Sequence, residues 1–165
     1  MSFRIAKALL VVVFIGLPRI ALAQFVANQY NPFNPIIAGV PVYCTSYGTG
    51  QPVAFVPNPA LNDIGRARPG IPPTIELNPI LLAQLPAKLQ LFWYGHECGH
   101  HALGPSNSET NADCWSIRIG KQQGLFSRQD VLGFAPFFAN NPGSPWGHLP
   151  GPVRAQAFVQ CFDQS

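Results

Sequence analysis

Prolines and apolar runs divide the chain into an extended front half and a helical back half. Between Pro32 and Pro86 prolines recur every few residues, and each one removes a backbone N–H and blocks the preceding helical turn. β-prone apolar runs survive between these prolines. They predict strands at Val40 to Thr45, Pro52 to Val56 and Thr74 to Leu77. The stretch 58–73, which is rich in glycine and proline, is predicted to form a loop.

The back half contains proline-poor windows in which apolar residues recur at helical spacing. They predict helices at residues 87–103, 106 or 108 to 123, 127–138 and 153–162, with a loop at 140–152. Gly104-Pro105 ends the first helix, and either Ser106 or Ser108 can cap the second. The order of these elements predicts an α+β fold with a mainly helical core and a small N-terminal β-sheet.

Residues 1–23 have the layout of a secretory signal peptide. Arg4 and Lys7 precede an apolar run at residues 8–17, and the small-residue end Ala21-Leu22-Ala23 follows. The run is short for a membrane span, which needs about 20 residues, although an uncleaved anchor is the alternative. We therefore expect residues 24–165 to form one exported domain, periplasmic or secreted, with no membrane span after the signal is removed.

Removal of the signal peptide would also change the charge of the chain. The whole sequence contains ten basic and seven acidic residues. Arg4, Lys7 and Arg19 lie in the signal, so the remaining chain is formally neutral. It contains no basic cluster and no aromatic RNA-binding motif, so we expect no nucleic-acid partner.

The first predicted helix contains the pattern H-E-x-x-H at residues 96–100. Histidines four residues apart project from one face of a helix, so the imidazoles of His96 and His100 can bind one metal ion. Glu97 lies beside them, where it can deprotonate a metal-bound water. The alternative is that these histidines are only hydrogen-bonded in a buried core. His101 points away from His100 on the helix and is expected to pack or hydrogen-bond structurally.

A catalytic zinc site uses three protein ligands and keeps one position for water. Glu109, nine residues after His100, begins the next predicted helix and is the candidate third ligand. Asp113 lies one turn later on the same face, where it can accept a hydrogen bond from the second nitrogen of a ligand histidine. The reverse assignment, with Asp113 on zinc and Glu109 behind it, stays open.

The sequence H-E-C-G-H-H followed by E-T-N-A-D resembles the gluzincin metallopeptidases. It is most similar to the heat-shock membrane protease and CAAX prenyl protease family and to the related neutral zinc metallopeptidases. The resemblance covers about residues 74–162 and implies a zincin-like core, zinc held by His96, His100 and Glu109, and Glu97 as general base.

The same family has a downstream H-P-x-x-x-x-R element, which His148 and Arg154 match with Leu149 in place of the family proline. The resemblance implies that His148 steadies the oxyanion or the substrate and that Arg154 supports the site. An ordinary surface-loop histidine is the alternative for His148.

The four cysteines all lie after the signal, and an even number in an exported protein predicts two disulfides with three possible pairings. One attractive pairing joins Cys98 to Cys114, linking the two ligand helices, and Cys44 to Cys161, tying the ends of the chain. Reduced thiols are the alternative.

These features predict an exported zinc metalloendopeptidase that acts on a peptide or protein substrate. The strand predicted at residues 74–77 could bind that substrate as an added strand. Two other classes of protein stay open. One is a zinc-binding module that recognises a partner without cutting it, and the other is a disulfide-stabilised interaction protein with no metal.

Overall fold

Helix α2, Ala87–Ala102, contacts both the sheet and the following long helix. In the computed structural model, which describes residues 31–165, its central Phe92 is fully buried. The helix starts directly after Pro86, as predicted. The predicted signal peptide, residues 1–23, lies outside the described residues.

Two small sheets form the front half. Their strands are β1 (Ile36–Ile37), β2 (Val40–Pro41), β3 (Ala54–Pro57), β4 (Gly65–Arg68) and β5 (Thr74–Leu77). Strands β1 and β2 pair antiparallel, and the second sheet has the order β3-β5-β4, with β3 parallel and β4 antiparallel to β5. Ile75 and Leu77 of β5 are fully buried in the core that α2 shares.

The sheet differs from the sequence prediction in three ways. The predicted loop 58–73 contains β4, whose sequence Gly-Arg-Ala-Arg has no β-branched residue and becomes a strand only by pairing with β5. Of the predicted strand 40–45, only the first two residues form β2. Strand β5 has neighbours on both edges, so the prediction that substrate adds beside it is wrong, and β4 is an edge strand.

The remaining helices are α1 (Pro79–Leu82), α3 (Glu109–Gln122), α4 (Arg128–Leu132), α5 (Ala135–Phe138) and α6 (Gly151–Asp163), with a 3₁₀ turn at Gly104–Ser106. Ser108 caps α3 by accepting a hydrogen bond from the Asn111 N–H, which decides between the two predicted caps. The third predicted helix is split at Gly133-Phe134, and α1 was missed because it lies among prolines.

The α+β prediction, with a helical core and a small N-terminal sheet, is confirmed. No helix within residues 31–165 has the length and apolar character that crossing a membrane requires.

Two disulfides join Cys44 to Cys98 and Cys114 to Cys161. The predicted pairing of Cys98 with Cys114 is therefore wrong. The face of α2 that contacts α3 carries Gly99, where an added Cβ would lie 2.9 Å from the Cα of Ala112. Since neighbouring residues of a helix point about 100° apart, Cys98 faces the N-terminal segment instead. Two disulfides are typical of proteins that fold in an oxidising environment.

Candidate metal centre

Three side chains from α2 and α3 bring ligand atoms to one point. The Nε2 atoms of His96 and His100 are 3.1 Å apart. Glu109 Oε2 lies 3.2 Å from the first and 3.4 Å from the second. A tetrahedral zinc ion with ligands at about 2.0–2.1 Å requires ligand atoms about 3.3–3.4 Å apart. The three atoms therefore nearly have the spacing of ligands around one ion.

The path of the chain between α2 and α3 explains why these three ligand atoms lie close together. Gly104 adopts φ +53°, which favours glycine, and starts the 3₁₀ turn that reverses the chain. The Ser108 cap then starts α3, so that Glu109 stands in its first turn. The close approach of the helices at Gly99 holds Glu109 against the two histidines.

Two buried polar atoms at this point are left without a hydrogen-bond partner. They are Glu109 Oε2 and His148 Nε2, which lie 2.6 Å apart without hydrogen-bond geometry. A buried polar atom without a partner is costly, and a cation beside the carboxylate would remove that cost. Among residues 31–165, His96, His100 and Glu109 are the only group of metal-binding side chains close enough to hold a metal ion.

Asp113 and Arg154 form a buried ion pair behind His96. Its Nδ1 lies 2.8 Å from Asp113 Oδ1, so the ring presents Nε2 to the metal position. Arg154 donates to both oxygens of the same carboxylate, each at 2.7 Å. All three residues are at most 4% exposed. Asp113 thus lies on the far side of the imidazole from the metal position, where the reverse ligand assignment does not fit.

Arg154 does not contact the metal position. The resemblance implies that Arg154 supports the site. Its guanidinium binds Asp113 and lies among the rings of Trp93, Phe138 and Phe158, at 4.9 to 5.7 Å from their centroids. The disulfide Cys114–Cys161 joins the helices that carry Asp113 and Arg154. Arg154 is therefore a positioning residue.

His100 has an analogous partner that the sequence analysis missed. Its Nδ1 lies 2.8 Å from Asn107 Oδ1. The amide oxygen accepts from a protonated Nδ1, which leaves Nε2 free to bind a metal ion. The signal in the sequence was weak, because Asn107 is one of several polar residues in the turn before α3.

The pKa values of the ligands reflect this crowding. Burial lowers the pKa of His96, but the hydrogen bond to Asp113 and the nearby carboxylate of Glu109 outweigh it and raise the pKa to about 9. Burial alone would raise the pKa of Glu109, but the imidazoles of His100, His148 and His96 hold it far below its usual range. Both shifts come from the close contact of imidazole and carboxylate groups at this point.

Glu97 lies between α2 and β4 and is 4% exposed. It accepts a hydrogen bond from the backbone N–H of Ala67, and a Cβ added at Gly65 would lie 2.5 Å from its Oε1. Burial raises the pKa of its carboxyl, although the charges of His96 and His100 oppose the rise. Strand β4, which the sequence did not predict, thus fixes the position of the candidate base.

The loop before α6 brings His148 to the site. Its Nδ1 lies 3.2 Å from Ser144 Oγ, and its Nε2 faces Glu109. Its side chain is 25% exposed, so it is not an isolated surface histidine. His101 places its Nε2 2.9 Å from the Thr74 carbonyl oxygen of β5, which confirms the predicted hydrogen bond.

These elements surround an open cleft of about 620 Å³. Its floor contains the metal group and Glu97, and its walls come from β4 and from the loop before α6. The other lining side chains include Asp63, Arg66, Pro69, Trp93, Asn141, Ser144 and Trp146. The cleft is large enough to receive part of an extended peptide.

Comparison with known proteins gives no family assignment. No family model, curated protein or solved structure matches this chain. The likeness to the gluzincins rests on the sequence motifs of the site alone.

Proposed function

We propose that this protein is an exported zinc metalloendopeptidase, periplasmic or secreted, that cuts peptide bonds in the cleft. The spacing of the Nε2 atoms of His96 and His100 and of Glu109 Oε2 carries the proposal. Two imidazoles and a carboxylate suit zinc and leave one coordination position open, as in catalytic sites. The two disulfides support export.

Zinc, when bound, would polarise the scissile carbonyl and lower the pKa of a water molecule. Glu97 would take a proton from that water and deliver it to the leaving amine. Its raised pKa favours the first step, because the carboxylate holds the transferred proton better than an exposed glutamate would.

His148 would donate from Nε2 to the oxygen that becomes negative in the tetrahedral intermediate. The bond between its Nδ1 and Ser144 Oγ orients the ring for that contact. Asp113 and Arg154 would hold His96 in the tautomer that keeps Nε2 available. Strand β4 offers an open edge beside Glu97 along which an extended peptide could lie.

The test is a Glu97→Gln variant, which keeps the shape of the side chain but cannot accept the proton. We expect bound zinc, measured by elemental analysis, to equal that of the wild type, and cleavage of a quenched peptide library to fall by at least about 10²-fold. Glu76→Gln, which alters a glutamate on the other face of the sheet, is the matched control.

Two outcomes would contradict the proposal. If the purified protein binds no zinc, the metal assignment fails. If zinc is bound and the wild type cuts nothing, or Glu97→Gln cuts equally well, the protein is a zinc-binding module that recognises a partner without hydrolysing it.

A further inference from the structure

The two most exposed large apolar side chains in residues 31–165 belong to loops that border the metal cleft. Ile71 is 95% exposed and Trp146 is 84% exposed. Trp146 lines the cleft, and Ile71 lies two residues after Pro69, which lines it from the β4 side. Single exposed apolar residues are ordinary on protein surfaces, but here one stands on each of two loops around the same site.

The loop that carries Trp146 is held in place by its own hydrogen bonds. The Ser144 N–H donates to the His148 carbonyl at 3.0 Å, and the Gly147 N–H donates to the Ser144 carbonyl at 3.2 Å. The turn also lies close to a metal-ligand candidate, because a Cβ added at Gly147 would lie 3.5 Å from Glu109 Cγ. Trp146 is thus the chain neighbour of a residue that lies beside the metal group.

This arrangement suits recognition of an apolar group. An aromatic ring on a fixed turn loses little conformational entropy when it is covered. Its flat face can pack against an aromatic or a branched aliphatic side chain. A peptide in the cleft would have Trp146 in its wall and Pro69, two residues before Ile71, at its β4 side.

We propose that Trp146 and Ile71 form an apolar rim that binds large apolar side chains of a peptide lying in the metal cleft. The substrate class is extended peptide with aromatic or long aliphatic residues next to the bond that is cut. The inference rests on the proposed function, because the bound peptide is a substrate only if the protein cleaves it. A membrane surface is the other occupant that the rim could take, but a bilayer lying there would close the mouth of the cleft.

Peptide hydroxamates that differ in one side chain test the rim without turnover, because the hydroxamate binds the metal and the side chain reports the rim. We expect calorimetry on zinc-loaded protein to give binding roughly tenfold tighter for phenylalanine than for glycine at that position. Trp146→Ala should reduce this preference to about twofold, and Trp146→Phe should keep most of it.

Ile71→Ala should weaken the preference for long aliphatic side chains, whereas Ile80→Ala should change nothing. Ile80 is the matched control, since it is the same residue type, 60% exposed, and located on α1 away from the cleft. Equal zinc content in all variants shows that the site is intact.

Three results would overturn the proposal. They are a wild type without side-chain preference, a Trp146→Ala variant that keeps it, and failure of every hydroxamate to bind the zinc-loaded protein. Loss of binding to anionic vesicles in the rim variants, with the peptide preference intact, would assign the rim to membranes instead. Absence of peptide cleavage alone would contradict only the proposed function.

Discussion

Replacing Arg154 by methionine would remove a buried positive charge while keeping much of the side-chain volume. The guanidinium is 1% exposed and binds both oxygens of Asp113 at 2.7 Å. In the variant, the buried Asp113 carboxylate would keep only His96 as a charged partner. We therefore expect a large loss of stability together with weaker metal binding.

The magnitude follows from burial. Breaking a buried ion pair by removing one partner costs about 3–5 kcal/mol, because the remaining charge stays desolvated. Contacts between the guanidinium and the rings of Phe138 and Phe158 add to the loss. The total would be a large fraction of the free energy of unfolding of a typical domain, which is about 5–15 kcal/mol.

Urea unfolding of the chelator-treated, disulfide-intact protein measures this effect. The matched control is Arg128→Met, which breaks the ion pair with Asp163, whose side chains are 53% and 45% exposed. Such a surface pair contributes about 0–1 kcal/mol. If Arg154→Met costs no more free energy of unfolding than Arg128→Met, the buried network does not stabilise the fold as argued.

Two further predictions concern the base and the pH response. Gly65→Ala should displace Glu97, since the new Cβ would lie 2.5 Å from Oε1. We expect cleavage of the peptide library to fall while the zinc content stays unchanged. Gly70→Ala, in the loop that follows β4, is the control and should be neutral. The pKa of His96 is raised to about 9, so the stability this group gives the metal-free protein is fully present below about pH 6.5 and is lost as the pH rises through about 9. Thermal unfolding across that range measures it, and a flat profile would contradict the expectation.

Local sequence was enough to predict the helices that carry the site. His96 and His100 share a helix face because of the 3.6-residue repeat, and Ser108 with Glu109 marks the start of α3. These signals depend on neighbouring residues, so they can be recognised without knowing how the chain folds back. The same holds for Asp113, one turn after Glu109, which lies 2.8 Å from His96.

The sequence failed where distant segments decide the outcome. Strand β4 has no strand signal of its own and forms because β5 offers it hydrogen-bond partners. The disulfide pairing depends on which face of α2 meets α3, and Gly99 settles that question. Asn107 gains its role only because the turn places it beside His100.

By itself the sequence determined the chemistry of the candidate site: two histidines on one helix face, an adjacent glutamate and a capped helix that begins with a third ligand. Tertiary structure alone decided how that site is held and what surrounds it. Contacts that span 41 residues, as between Asp113 and Arg154, depend on how whole elements pack, and local spacing contains no information about that packing. The same reason explains why the cleft walls, β4 and the loop that carries Trp146, became visible only in the folded chain.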